Sequence, residues 1–297
     1  MKIAVVGSYG VGLSMFAERF PEAGETLSGG RFMSSHGGKG SNQAVAAARL
    51  GADVAFLTAV GSDIYGEEAR RLWAEESVDA SSVKVVDAPT MVGVIIVDAG
   101  GENRIIIAPG ALEHLGPADV NDFRGTISGS DLVVVSLEIP LETAMAALRI
   151  GKEEGVATLL NPAPASPLPD DAWEWIDFVT PNASEGPVVA GVDSGLAPDD
   201  LAQMINERTG AAVVLTLGSE GAMLCDGSQP VAIPAVRVDD VVDTTGAGDA
   251  FTGALGVGLA SGIGLEAAAR LAVSAGAFTV RTEGVIPALP YASDLDP

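Results

Sequence analysis

Cysteine is almost absent from this chain: among 297 residues there is one, Cys225, together with two histidines, His36 and His114. One thiol closes no disulfide within the chain, and this set falls short of a Cys/His zinc site. A reducing cytoplasm is the compartment that fits. Positive charge is also scarce, with 16 Lys and Arg against 40 Asp and Glu and a formal net charge of −24. Such a surface repels phosphate backbones and acidic lipid, so neither nucleic acid nor an anionic membrane is expected as a partner. The acids are dispersed rather than gathered into a tail, as on a strongly solvated surface. No apolar run is long enough for a membrane span: Ala250 to Leu265 is broken by Thr252, Ser261 and glycines, short of the roughly 20 residues required. The first residues, Met1 to Gly7, enter a strand-like run without the basic segment, long apolar stretch and cleavage site of a secretion signal. What the chain has is 47% hydrophobic residues and a mean hydropathy of +0.33, which excludes a mainly disordered protein.

Short β-rich runs alternate with Ala-rich helical stretches. Ile3–Val6, Val54–Thr58, Leu132–Ser136, Thr158–Leu160, Phe178–Thr180 and Ala212–Leu217 read as buried strands. Ser41–Leu50, closed by Gly51, and Leu141–Glu154, closed by Gly155, read as helices between strands. This is the α/β signature, a mostly parallel sheet with helices on both faces. No linker, repeat or low-complexity tract divides the chain, so residues 1–297 read as a single domain. Two segments break the rhythm: residues 13–35, and residues 90–110, where Met91–Val97 and Arg104–Ile107 flank a Gly-containing turn as a β-hairpin. Antiparallel strands inserted there predict a small sheet, either a lid over a site or a peripheral sheet without a role.

The most informative stretch is Val242-Asp243-Thr244-Thr245-Gly246-Ala247-Gly248-Asp249-Ala250-Phe251-Thr252-Gly253. Small residues just before an acid and an Ala-rich helix let backbone N–H groups converge on an anion at the helix N-terminus. A carboxylate beside a phosphoryl site can then accept the proton of an attacking hydroxyl; the plainer reading is a turn with a helix-capping acid. A second run, His36-Gly37-Gly38-Lys39-Gly40-Ser41-Asn42-Gln43, also opens a helix. It is not a Walker A loop, because glycine follows the lysine where Ser or Thr is needed. Lys39 is one of four lysines in the chain, and in a glycine bed Lys39 and Asn42 offer directional donors to a polyol. A helix start with a solvated lysine is the simpler alternative.

Together these runs resemble the signatures of the ribokinase-like (PfkB) family of carbohydrate kinases, and the resemblance extends over nearly the whole chain through Leu137-Glu138, Asn161-Pro162-Ala163-Pro164, Thr180-Pro181-Asn182-Ala183-Ser184-Glu185 and Thr216-Leu217-Gly218-Ser219-Glu220-Gly221. The resemblance implies a three-layer α/β/α fold with a β-sheet lid and transfer of the γ-phosphoryl group of ATP to a primary alcohol of a sugar. It implies Asp249 as general base, with the N–H groups of Gly246, Ala247 and Gly248 stabilising the transferring group. Gly38, Lys39, Asn42 and Glu138 would bind the sugar, and Asn182, Thr216, Gly218 and Gly221 the nucleotide. Glu185, with Asn182, would organise Mg2+ through water, and Asp243 and Thr245 would help hold a monovalent cation, K+ in most of the family. A homodimer through the lid strands is implied as well.

The chain departs from the family where specificity is decided. Ribokinases carry an Asn-x-Asp pair after the first strand that reads sugar hydroxyls; here Gly10 and Gly12 stand at those positions, and Leu112 stands where Asn is common. An acceptor pocket wider or less polar than that of a ribokinase is therefore expected. A nucleoside kinase of the same fold is the enzymatic alternative, with Phe16, Phe20 and Phe32 as candidate stacking surfaces. A catalytically weak sugar- or nucleotide-binding regulator is the alternative from another class. Arg104, on the hairpin, is either a contact for an acidic acceptor or a solvated strand arginine.

Overall fold

The computed structural model describes residues 1–295. The chain begins with β1 (Lys2–Val6), β2 (Gly10–Phe16), β3 (Arg31–Gly37), α1 (Lys39–Arg49), β4 (Asp53–Leu57), β5 (Ala59–Gly61), α2 (Ile64–Glu75), β6 (Val78–Asp79), β7 (Lys84–Val86), β8 (Met91–Val97) and β9 (Asn103–Ala108). It continues with α3 (Pro117–Asp122), α4 (Arg124–Ser128), β10 (Leu132–Ser136), α5 (Leu141–Glu153), β11 (Ala157–Asn161), β12 (Phe178–Val179), α6 (Glu185–Ala190) and α7 (Pro198–Thr209). Last come β13 (Ala212–Thr216), β14 (Ala222–Cys225), β15 (Val231–Ile233), α8 (Ala247–Ala260) and α9 (Leu265–Thr279).

Nine strands form one sheet in the order β15-β14-β13-β12-β11-β10-β1-β4-β6. It is parallel from β6 to β13 and antiparallel at the β14 and β15 edge. Alternate residues of each strand enter different cores because successive side chains point to opposite faces. Ile3 and Val5 join a core with α1, α2, α8 and α9, whereas Ala4 and Val6 join one with α3, α4, α5, α6 and α7. Both faces are covered, as a parallel sheet requires, and the result is the expected three-layer α/β/α arrangement. The chain leaves β1 toward β4 on one side and later returns to β10 on the other, so the strand order reverses between β1 and β10. The crevice at their carboxyl ends is where ligands bind in open α/β sheets.

Helix α8 is buried along most of its length. Its small residues let neighbours close in: a Cβ on Gly253 would lie 2.7 Å from Ala46 Cβ in α1, and one on Gly258 would lie 2.5 Å from Ala268 Cβ in α9. Among the described residues no helix is long and apolar enough to cross a membrane.

The second sheet, in the order β3-β2-β8-β9, is built from the two segments that broke the α/β rhythm. The hairpin falls at Met91–Val97 and Asn103–Ala108, much as expected. The other insert is longer than residues 13–35: β2 already begins at Gly10 and β3 continues to Gly37. Glycine disfavours strands, but Gly10 is paired on both sides, with Gly37 of β3 and Met91 of β8. Ladder hydrogen bonds on two edges fix what the side chains alone would leave as a loop.

Candidate active site

The site gathers at the carboxyl ends of β1, β10 and β11 and at the N-termini of α1 and α8. Asp249, in the first turn of α8, is buried. Its carboxylate accepts hydrogen bonds from Asn42 Nδ2 at 2.8 Å on one oxygen and from Gln43 Nε2 at 3.0 Å on the other. Gln43 Nε2 also donates to Asn161 Oδ1 at 3.0 Å, and Asn161 Nδ2 donates to the Thr180 carbonyl at 3.2 Å. Burial pushes the Asp249 carboxyl above its ordinary range; the charge of Lys39 and the Asn42 and Gln43 donors pull it back without cancelling the rise, and Glu138 adds to it. The buried carbonyl oxygens Asn42 Oδ1 and Gln43 Oε1 and the buried Ser136 Oγ have no hydrogen-bond partner among the described residues.

The start of α1 is held against the turn after β1. Glu138 Oε2 accepts from Ser8 Oγ at 2.6 Å and from the Lys39 amide at 3.0 Å, while the Ser41 amide donates to the Ser8 carbonyl at 2.9 Å. Gly38 has a φ of +89°, and a Cβ there would lie 2.5 Å from Tyr9 Cα, so only glycine fits this turn. Lys39, half-buried, contributes a positive charge felt by both Asp249 and Glu185.

Gly246 caps α8 with a φ of +82°, and Val285 Cγ1 would sit 2.5 Å from a Cβ at this position. Ala247 N–H makes a long bond, 3.3 Å, to the Thr244 carbonyl, Ala250 N–H bonds the Gly246 carbonyl at 2.9 Å, and the Gly248 and Asp249 N–H groups between them are without helical partners. Asp243 anchors the turn: Oδ1 accepts from the Thr245 amide at 2.9 Å and hydroxyl at 2.6 Å, and Oδ2 from the Gly284 amide at 3.0 Å. Burial pushes the Asp243 carboxyl up, but these donors outweigh it and hold the group below its ordinary range.

A cavity of about 560 Å³ opens beside this turn, lined by Thr216, Gly218, Gly221, Ala247 and Gly248, with walls from Val236, Val238, Phe251, Val273 and Val280. Asn182 does not line it. Instead, it forms a parallel bridge with Thr216, and its Oδ1 accepts from Ser184 and from the Glu185 amide at 2.8 Å, closing the turn into α6. Glu185 Oε2 accepts from the Asn182 amide at 2.9 Å. Burial raises the Glu185 carboxyl, Asp249 adds to that, and the Asn182 amide and Lys39 oppose it.

The volume that glycine should have opened at Gly10 is filled, since a Cβ there would lie 2.3 Å from Cε of the buried Met91. At Gly12 the nearest atoms are Ser35 Oγ at 3.1 Å and Ile95 Cδ1 at 3.5 Å. Gly10 therefore leaves no free volume beside Met91. The Arg104 guanidinium lies 4.1 Å from the Phe20 ring centroid and Arg31 covers Phe16 at 4.0 Å, so those two rings are occupied by cations of the lid itself. Phe32 is exposed. Sequence reasoning assigned no role to Ser8, Gln43 or Asn161; Gln43 was findable from its place next to Asn42 in the first turn of α1, whereas the other two act across the fold.

Comparison with known proteins places this geometry in a family. The model of the pfkB family of carbohydrate kinases matches residues 1–292. A ribokinase of Lactococcus lactis is 36% identical over 295 residues, covering 99% of this chain and 95% of the relative. A deoxyribokinase of Salmonella typhi is also 36% identical, over 294 residues, covering 98% and 96%. The structure of Arabidopsis thaliana ribokinase complexed with ribose and ATP superposes with a TM-score of 0.92 at 28% identity, covering 98% of this chain and 96% of that one. The chain belongs to the pfkB family of carbohydrate kinases.

Because Gln43 donates to the Asp249 carboxylate, Gln43→Met should raise that carboxyl further. Turnover should fall roughly tenfold at neutral pH, and the acid limb of the pH–rate profile should move to higher pH. An unchanged limb in a folded variant would show that Gln43 does not tune the Asp249 carboxyl.

Proposed function

We propose that the protein transfers the γ-phosphoryl group of ATP to a primary hydroxyl of a sugar or sugar-like acceptor, with Asp249 as general base. The observation that carries this reading is the buried Asp249 carboxylate, held by two amides in the first turn of a helix whose Ala247 and Gly248 line the 560 Å³ cavity. The acceptor proton goes to Asp249 as the acceptor oxygen attacks the γ-phosphorus; the bond to the bridging oxygen breaks, and its electron pair leaves with ADP. The N–H groups of Gly246, Ala247 and Gly248 face the charge on the transferring group, a preorganised stabilisation. A raised carboxyl suits a base, since it binds the proton more firmly once received.

Thr216, Gly218 and Gly221 receive the nucleotide, and Asn182 acts by shaping the turn that carries Glu185. Gly38, Lys39 and Glu138 face the acceptor; Asn42 serves it with its free Oδ1 while its amide nitrogen holds Asp249. Among the described residues no cluster of three or more His, Cys, Asp or Glu forms a metal cage; a single half-buried acid such as Glu185 fits a Mg2+ carried mainly by phosphates and water. The ion would neutralise phosphate charge when bound. The ionised Asp243 retains lone-pair capacity beyond its present bonds, so with Thr245 it fits a monovalent cation beside the cradle, which would add positive charge there.

The aliphatic contact of Met91 at Gly10 makes the acceptor a sugar read by few hydroxyl bonds on the lid side. Without polar readers there, loss of a hydroxyl removes little. In an ADP-release assay across sugars and nucleosides, 2-deoxyribose should match or exceed ribose in kcat/KM, with Asp249→Asn as the inactive control. A ribose preference above about 100-fold would contradict the acceptor reading, and ADP release by Asp249→Asn at the normal rate would contradict the kinase mechanism.

The edge strand β9 is exposed throughout, with Ile106 75% exposed between Ile105 and Ile107. An apolar, unpaired edge invites strand pairing, which supports a homodimer through the lids of a cytoplasmic enzyme. Light scattering at micromolar concentration should give twice the chain mass, and Ile106→Lys should shift it toward one; a monomeric parent protein would refute the dimer.

A further inference from the structure

Helix α1 starts in the site with Lys39, Asn42 and Gln43 and ends at Arg49, whose side chain is 8% exposed. The guanidinium is paired in fork fashion with Glu76, itself 12% exposed, through Nε at 2.8 Å and Nη2 at 2.6 Å. The third nitrogen, Nη1, donates to two backbone carbonyls, Ile286 at 2.8 Å and Leu289 at 2.7 Å. The Tyr291 ring lies 4.6 Å from the guanidinium carbon. A charge this buried needs its donors used, and here two of its bonds are spent on a single turn of the C-terminal segment.

That turn abuts the phosphoryl-binding residues. Val285, one residue before Ile286, packs against Gly246 so closely that a Cβ there would meet Val285 Cγ1 at 2.5 Å, and the Gly284 amide donates to Asp243 Oδ2 at 3.0 Å. The Leu289 amide makes only a long bond, 3.4 Å, to Ile286 within the turn. Arg49 therefore supplies the shorter contact to the Ile286 carbonyl and ties the far end of the turn to α1.

We infer that Arg49, held by Glu76, is a positioning residue for phosphoryl transfer: it fixes the segment Gly284–Leu289, which in turn holds Gly246 in its anion-binding conformation and keeps Asp243 in place beside it. The inference rests on the reading that Gly246–Gly248 bind the transferring group. It makes α1 a brace between the two halves of the site, with acceptor contacts at one end and the support of the phosphate turn at the other. Neither Arg49 nor Glu76 touches a reactant.

Arg49→Lys keeps the charge but cannot reproduce the planar fork and the double carbonyl contact. It should raise the KM for ATP and lower kcat, each about tenfold, while the acceptor KM stays within about twofold. Hydrogen exchange should quicken at the Gly284 and Thr245 amides, both bonded to Asp243, and stay unchanged in the first turn of α1. Glu76→Gln, which retains the carbonyl contacts, should give the same pattern more weakly, and keeps the test valid if an Arg49 variant folds poorly. A lowered melting temperature with wild-type kinetics, or a defect carried by the acceptor KM, would overturn the inference. Asp249→Asn measured in parallel separates the two readings. If it loses turnover while binding ATP, a wrong Arg49 pattern refutes the brace alone; if it turns over normally, the site reading and the brace fail together.

Discussion

As the proposed general base, Asp249 has to ionise in a place where burial opposes ionisation, and much of the surrounding structure answers that conflict. A carboxylate taken from water loses hydration that only directed donors or nearby positive charge replace. Asn42 and Gln43 supply one donor to each oxygen, Lys39 supplies charge, and the first turn of α8 presents the positive end of the helix dipole. The compensation stops short of complete, so the carboxyl stays above its ordinary range. A fully satisfied carboxylate would hold no proton well; a poorly satisfied one would not ionise. The intermediate condition is what proton acceptance from an alcohol requires.

The architecture follows from keeping that arrangement in register. Both donors sit in the first turn of α1, so the position of α1 on α8 sets their distance to Asp249. Gly253 permits this approach by presenting no side chain to Ala46. Glu138, at the end of β10, ties the N-terminus of α1 to Ser8 at the end of β1, so the point where the strand order reverses is closed by a carboxylate bonded to both sides. In the small sheet, Met91 fills the space beside Gly10. In the proposed reading the fold separates its tasks: polar groups face the reacting atoms, while the small sheet contributes shape at the position where hydroxyl readers were expected.

How much of this is legible in the sequence depends on how local each cause is. The buried strands declare themselves because a sheet covered on both faces needs continuous apolar runs, as in Leu132–Ser136. The glycine turns before Lys39 and Asp249 are also local, since a backbone that must carry a positive φ at Gly38 or Gly246 leaves little choice of residue. The extent of β2 is not local: Gly10 and Gly12 look like loop residues until the two partners that pair with them are known. The same holds for the filled space at Gly10, which depends on a methionine from β8, and for Asn182, whose side chain shapes the turn into α6 instead of lining the cavity. Gln43, Asn161 and Ser8 took on meaning only when strands and helices far apart in sequence were brought together.

The claim at the centre of this account is that the charge on Asp249 is held against the preference of the fold, and melting wild type and Asp249→Asn across pH tests it most directly. With the folded carboxyl raised, ionisation costs stability: the cost is absent below the unfolded value of about 3.9, grows as pH rises toward the folded value, and is complete above it. The Asn variant should therefore melt higher than wild type at about pH 8, with the gap closing toward about pH 4. An Asn variant that melts lower at the higher pH, or a gap that does not change with pH, would contradict the account.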